Sequence, residues 1–322
     1  MTIPATSHAS APAKFILFGE HAVVYGEPAL AAPLQSIRAH ATISASSAKD
    51  PSGLFITADD IYLRCLYGDL MPTHPIAATI RGVLQTIGSS QEPRAHLSLS
   101  SAIPVSAGLG SSAATSAAVA QALARFLHRE LSANQVSDLV YEVEKLQHGI
   151  PSGIDNTVIA HEQTVFFTKT NKTEFLKLTR PLTFLIADSG ERSSTKETVA
   201  GVRERYKREQ KTYQAWFDDI GNITRAARTA VSHGDSELLG KLMLRNQELL
   251  EAIGVSCPSL DRLVKAALRA GVSGAKLSGS GAGGHIIAHV HPRQADHVVS
   301  RLRAAGARNV FLTELTANTH DS

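Results

Sequence analysis

Pro104-Val105-Ser106-Ala107-Gly108-Leu109-Gly110-Ser111-Ser112-Ala113-Ala114 stands between a strand-like run and an alanine-rich helix pattern, and its reading decides the fold. Upstream, residues 96–100 alternate as a strand; downstream, residues 111–127 repeat as a helix. Glycines let a backbone approach an anion closely, and the first amides of a helix are donors without intrahelical partners at the positive end of its dipole. Such a turn can hold phosphate groups, or it can be a capped helix with Ser111 as N-cap. The pattern GxxxxGK[ST] is absent, so no lysine arrives from this loop, and a hydroxyl such as Ser112 would have to help carry a metal.

Working outward, residues 15–18 form a continuous apolar run that predicts a buried strand, and residues 38–46 alternate as a half-exposed one. Helical patterns cover 75–87 and 133–147, the second opened by a capping box in which Ser132 caps and Gln135 reaches back. Beyond residue 178, a strand at 182–188 precedes four helical stretches running to about residue 270. Strands at 275–278 and 286–290, a helix from 293 to about 305 and a strand near 310–312 follow. With the helices collapsed into one insertion, this order is the split β-α-β-β-α-β arrangement of ferredoxin-like folds. The basic run 203–211 falls inside a helical pattern and reads as a solvated face.

Two other glycine-rich segments carry candidate chemistry. Gly279-Ser280-Gly281-Ala282-Gly283-Gly284 contains GxGxxG, but residues 285–290 after it read as a strand, whereas a dinucleotide fingerprint must open a helix. The loop is therefore a wide turn facing a ligand or a flexible hairpin. His285, His289 and His291 share strand parity, and with no Cys or carboxylate at ligand spacing they read as exposed strand histidines rather than a metal site. Gly149-Ile150-Pro151-Ser152-Gly153-Ile154-Asp155-Asn156 holds Asp155 among apolar neighbours, as a helix cap or as a catalytic carboxylate. On the preceding helix, Val136, Leu139, Val140, Val143 and Leu146 form an apolar stripe with Glu144 at its boundary. There Glu144 can reach a groove and ligate Mg²⁺, or form a surface salt bridge with a nearby lysine.

Composition bounds the alternatives. The 322 residues carry 32 Lys+Arg against 29 Asp+Glu, a formal net charge of +3, which argues against a dedicated nucleic-acid binder. At 43% hydrophobic and 19% charged residues, disorder throughout is excluded. Cys65 and Cys257 are too few for a disulfide framework and fit a reducing cytoplasm. Residues 1–12 lack the pattern of a signal peptide, and no apolar stretch reaches membrane-spanning length, so a soluble protein is expected.

The order and wording of these segments resemble the GHMP kinase superfamily. Its first motif is matched by Ala11-Pro12-Ala13-Lys14-Phe15-Ile16-Leu17-Phe18-Gly19-Glu20-His21-Ala22-Val23-Val24-Tyr25-Gly26, its second by the Pro104 loop, and its third by Lys276-Leu277-Ser278-Gly279-Ser280-Gly281-Ala282-Gly283-Gly284. The stretch 148–156 is similar to the family's catalytic-aspartate segment, and the resemblance runs from Ala11 to about Gly284. It implies an α+β, two-domain GHMP kinase fold: a ribosomal protein S5 domain 2-like N-terminal domain over 1–177, and a ferredoxin-like C-terminal domain with extra helices over 178–322.

The resemblance also implies roles, with ATP and Mg²⁺ required. Asp155 is the base that takes the proton of the acceptor hydroxyl, and Lys14 beside it stabilises developing charge. Glu144 and Ser112 hold Mg²⁺, while the amides of Gly108, Gly110 and Ser111 cradle the β- and γ-phosphates, the nucleotide loop being completed by Pro104, Ala107, Leu109, Ala113 and Ala114. Glu20 and His21 face the acceptor, and Thr195 lies near its hydroxyl. Galactokinases usually follow GEH with Thr-Asp-Tyr; Ala22-Val23-Val24-Tyr25 here points to a mevalonate-type acceptor instead of a sugar. A phosphorylated relative of that acceptor stays open, because Arg192, Lys196 or Arg203 could meet an extra phosphate. A decarboxylase is disfavoured by the pairing of Lys14 with Glu144, and a non-catalytic sensor by the presence of Lys14, Ser112, Glu144 and Asp155 together. Ala13 and Ala282 replace glycines common in the family, and Ser280 replaces a common alanine. The expected partner is a small-molecule acceptor, with no nucleic acid and no membrane, and a homodimer left open.

Overall fold

The computed structural model describes residues 6–46, 52–105, 108–148, 151–169, 173–192 and 194–316. Two compact units are formed. One comprises the described residues of Met1–Lys14, Ile37–Val105 and Leu109–Glu162; the other comprises those of Phe15–Ser36, Ser106–Gly108 and Gln163–Ser322. The chain passes between them inside two strands, β1 (Thr6–Phe18) and β2 (Ala29–Ala45), which pair with each other.

In the first unit the second half of β2 alternates buried and half-exposed residues, as a strand with one covered face must. It pairs antiparallel with β5 (Ala95–Ser101), which runs parallel to β3 (Leu54–Ala58), itself antiparallel to β4 (Leu63–Leu66). A parallel pair needs a crossover, and helix α1 (Pro75–Ile87) supplies it. Pro75 at its first turn and Gly88 in the left-handed conformation at its end fix those limits. Helix α2 (Ser111–Phe126) is so rich in alanine that its backbone packs closely on α1, α3 (Ala133–His148) and α4 (Ile154–His161).

In the second unit the first half of β2 pairs antiparallel with β6 (Val165–Phe167), which continues to β7 (Glu174–Phe175). A separate antiparallel sheet follows from β8 (Leu182–Asp188), β9 (Gly274–Ser278), β10 (His285–His289) and β11 (Asn309–Leu315), in the spatial order β11-β8-β10-β9. Its strands lie fourth, first, third, second in chain order, which is the ferredoxin-like arrangement. The insertion after β8 consists of α5 (Thr195–Arg208), α6 (Gln210–His233), α7 (Ser236–Ile253) and α8 (Pro258–Arg269), and α9 (Ala295–Ala304) joins the last two strands. Among the described residues no helix is long and apolar enough to cross a membrane.

Four local expectations change. Strand β1 begins at Thr6, well before the apolar run, because its first residues alternate with little hydrophobic signal. The basic run 203–211 is not one helix: Glu209, at φ −129° and ψ 50°, separates α5 from α6, a break hidden by the strong helix propensity of Arg, Lys, Glu and Gln. His285 and His289 are 1% and 6% exposed, not surface histidines, since β10 lies between β8 and β9 and both its faces are covered. No cluster of metal-binding side chains forms around them or elsewhere among the described residues.

The fourth change is on α3. Its buried face is Val136, Ser137, Val140, Val143 and Glu144, while Leu139 is half-buried and Leu146 is 49% exposed. These spacings of one, four, seven and eight residues form a helical stripe turned toward Glu144. Glu144 is thus a buried residue, not a boundary one, and Lys145 pairs with Glu142 at 2.6 Å.

Candidate active site

The first unit gathers the groups suited to phosphoryl transfer. Helix α2 opens at Ser111, with Gly110 as its N-cap at φ 74°, no capping side chain and no acidic residue in its first turn. Gly110, not Ser111, is therefore the cap, and an anion would meet backbone amides at the positive end of a 16-residue helix. A Cβ at Gly110 would stand 2.8 Å from Ile159 Cδ1 and 3.2 Å from Lys14 Cγ, so only glycine lets this loop come so near the lysine. The Lys14 amide donates to the Leu109 carbonyl at 3.0 Å, joining β1 to the loop. Pro104, Gly108, Ala113 and Ala114 lie along the same loop and first turn; Ala107 lies outside the described residues, as do Gly149 and Ile150.

Asp155 sits in the first turn of α4, whose N-cap is Gly153, so its carboxylate is free of capping. It lies 2.9 Å from Lys14 Nζ, with side-chain exposures of 32% and 8%. A mostly buried ammonium needs such a partner, and the half-open carboxylate keeps a face available to a second molecule. The same unit holds Glu144, 6% exposed on α3, and Ser112, half-buried on the first turn of α2. A carboxylate and a hydroxyl are hard oxygen donors that suit Mg²⁺, an ion that commonly takes one or two protein ligands and completes its shell with phosphate oxygens and water.

The second unit places Glu20, His21 and Thr195 around the third glycine segment. Glu20 is 3% exposed and receives a hydrogen bond from Lys276 Nζ, which also donates to the Leu277 carbonyl at 2.7 Å. Burial pushes the Glu20 pKa up and the Lys276 pKa down, each opposed by the partner's charge. His21 is 6% exposed, with Nε2 2.9 Å from the Ser280 carbonyl oxygen, and burial lowers its pKa. Thr195, first residue of α5, has its Oγ1 3.2 Å from Ser280 Oγ.

The loop itself is held by its backbone. Ala282 N donates to Val255 O at 2.8 Å and Gly284 N to Glu191 O at 2.9 Å. A Cβ at Gly281 would meet Val255 O at 2.0 Å, which requires glycine there. Ser278 ties β9 to β1: its hydroxyl donates to Ile16 O at 2.8 Å and accepts from Ile16 N at 3.1 Å.

Sequence reasoning assigned no part to Lys276, Ser278 or Ser280, although all three stand in the quoted third motif. A lysine inside the apolar strand 274–277 was the available signal, since a charge there must find a partner. Asp188 and Arg192 form a further buried-edge pair, at 2.8 and 3.0 Å through two nitrogens. Burial would raise the Asp188 pKa, but hydrogen bonds from Arg192 and from the Gly190 amide hold it below the usual carboxylate range.

A glycine-capped helix start beside a lysine–aspartate pair, with a ferredoxin-like second unit, defines an ATP-dependent small-molecule kinase of the GHMP class. The family models for the GHMP kinases N terminal domain and the GHMP kinases C terminal match residues 75–162 and 227–308, and the chain belongs to this family. Within it, the mevalonate kinase of Pyrococcus abyssi is 37% identical over 316 residues, covering 92% of each chain. Among solved structures, Methanococcus jannaschii mevalonate kinase matches with a TM-score of 0.82 at 27% identity, over 96% of this chain and 98% of that one. Leishmania (L. major) mevalonate kinase in complex with R-mevalonate shares the fold with a TM-score of 0.86 at 24% identity, over 99% of both chains.

Proposed function

We propose that this chain transfers the terminal phosphoryl group of ATP to the 5-hydroxyl of mevalonate, giving 5-phosphomevalonate and ADP. The observation that carries this reading is the Lys14–Asp155 pair at 2.9 Å, set against Gly110 at the start of α2. Asp155 accepts the proton of the attacking hydroxyl, and Lys14, 2.9 Å from it, offsets charge on the transferring group. Amides of Gly110, Ser111 and Ser112, with Gly108 and Leu109 before them, receive the phosphates. Glu144 and Ser112 would hold Mg²⁺, which when bound neutralises phosphate charge. Phosphoryl transfer through a loose transition state needs positioning and charge neutralisation more than covalent chemistry, and this set supplies both.

The choice of acceptor is supported by relatives that bear the name mevalonate kinase at more than 30% identity. Glu20, His21 and Thr195 form the acceptor side, Glu20 being held by Lys276 as the rigid neighbour of His21. A phosphorylated acceptor is disfavoured because Arg192 spends both terminal nitrogens on Asp188, while Lys196 and Arg203 are exposed on α5. A coupled ADP-release assay over mevalonate, phosphomevalonate, galactose and homoserine tests the proposal. Mevalonate should give the highest kcat/KM by at least about 100-fold, the discrimination expected when a site built for one polar acceptor is offered another. Preference for any of the other three overturns it.

A further inference from the structure

Helix α7 ends in a left-handed glycine, Gly254 at φ 79°, and the turn satisfies two of the helix's last carbonyls from within. Gly254 N donates to Glu251 O at 2.9 Å and Val255 N to Leu250 O at 3.2 Å. The carbonyls of Ile253 and Gly254 lie beyond that motif and take their donors from other helices. Tyr213 Oη, on α6, donates to Ile253 O at 3.3 Å. Arg205, on α5, donates from Nη2 to Gly254 O at 3.3 Å and from Nε to the same Tyr213 hydroxyl at 3.1 Å. One guanidinium thus joins three helices at the negative end of α7, where a cation is favoured. It packs directly over the glycine, for a Cβ at Gly254 would stand 3.7 Å from Arg205 Nε and Nη2.

The residue after this glycine seats the third glycine segment. Val255 O accepts from Ala282 N at 2.8 Å, and Gly281 lies against the same carbonyl so closely that a Cβ there would overlap it. Between Gly279 and Gly281, Ser280 meets His21 Nε2 with its carbonyl and Thr195 with its hydroxyl. Thr195 opens α5, the helix that also bears Arg205. Burial lowers the His21 pKa and the Arg205 charge lowers it further, so the guanidinium is within electrostatic reach of that ring. We propose that Arg205 is a positioning residue: by holding the Ile253 and Gly254 carbonyls it fixes Val255, and through Val255 the seat of the Ser280 loop. The inference rests on the mevalonate kinase reading for what the loop serves, not for how the loop is held.

Two measurements on the full chain test this role. Amide hydrogen exchange read by mass spectrometry follows residues 279–284, where the Ala282 amide is bonded to Val255 O. In Arg205→Met that segment should exchange about 10-fold faster than in the wild type, as a loop released from its seat does. Arg208→Met, which removes an exposed cation from the end of the same helix, should leave the exchange unchanged. Steady-state kinetics read the consequence. In Arg205→Met the KM for mevalonate should rise about 3- to 30-fold, the range for substitutions acting through packed contacts, while kcat and the KM for ATP stay within about twofold. Arg205→Lys keeps a cation at the helix end and should recover part of both effects. Tyr213→Phe should shift both readouts in the same direction, and combined with Arg205→Met it should add little, because the two side chains act on one helix end.

A melting temperature that falls while the exchange and both KM values hold makes Arg205 a purely structural cap and overturns the proposal. An equal rise in KM for mevalonate and ATP does the same, as do additive losses in the double variant. Should Arg205→Met fail to fold, Tyr213→Phe decides the matter, since it removes a single hydroxyl from the same helix end: faster exchange with a raised KM for mevalonate supports the proposal, and no change in either overturns it. No turnover of mevalonate by the wild type counts against the kinase reading itself, and the exchange measurement then decides the positioning role without it.

Discussion

Asp155 draws its importance from Lys14, which is 8% exposed and has this carboxylate as its ion-pair partner. Asp155→Asn keeps the shape of the side chain but leaves that ammonium without a counter-charge. A stability loss of about 1–2 kcal/mol is expected, tempered by the 32% exposure of the aspartate. The rate should fall by about 10²- to 10⁴-fold, and Lys14→Met combined with it should add little, because both groups act on one proton. Thermal melts with kcat measurements check this; more than about a tenth of wild-type kcat in the Asn variant removes Asp155 from the role of base.

Glu144 gives a second prediction at this scale. Glu144→Gln is nearly isosteric in its buried position and should fold, but it should raise the Mg²⁺ concentration needed for half-maximal rate by roughly tenfold, as loss of a charged metal ligand does. Titration of activity with Mg²⁺ at saturating ATP reads this out, and an unchanged titration means that Glu144 is structural.

At the scale of elements, α3 shows how a packed neighbour adjusts a face that the sequence leaves ambiguous. The apolar pattern places Leu146 in the core and Glu144 at its edge; packing on α1, α2 and α4 rotates the buried stripe the other way. Leu146→Lys should therefore change stability by less than about 0.5 kcal/mol, as an exposed substitution does, whereas Val143→Ala should cost about 1–2 kcal/mol. Urea unfolding of both variants makes the comparison, and a large cost at Leu146 would return it to the core. The capping box of the same helix was fully readable, because it is a contact between residues three apart. Gln135 Oε1 accepts from Ser132 N at 2.9 Å, and Ser132 Oγ accepts from Gln135 N at 3.3 Å.

The whole molecule supplies a pH-dependent term through His289. This residue is 6% exposed in β10, edge-on to Phe184 at 5.4 Å, with Nδ1 2.5 Å from Ser273 Oγ and Nε2 3.5 Å from Ser236 Oγ. Burial lowers its pKa from 6.5 to about 4. Between these values the unfolded chain binds the proton and the folded one does not, so stability is full above pH 6.5 and declines as pH falls toward 4. The loss amounts to about 3 kcal/mol by the lower limit. His289→Gln should flatten that part of the profile. Urea unfolding at pH 7 and 4.5 measures it, and parallel slopes in the two proteins would place the effect on other groups.

Local chemistry was legible in the sequence: the Pro104 loop, the order of the three motifs, the succession of elements after residue 178 and the candidacy of Asp155 all depend on residues near one another in the chain. The tertiary structure alone decided partnership. That Asp155 meets Lys14, that Lys276 neutralises Glu20, that the His21 ring meets the Ser280 carbonyl, and that β10 is central enough to bury His285 and His289 are contacts between residues 7 to 259 apart. Periodicity states which faces are apolar but not which neighbour will cover them. A charge, or a ring nitrogen, is partnered only by the atom that comes to lie against it.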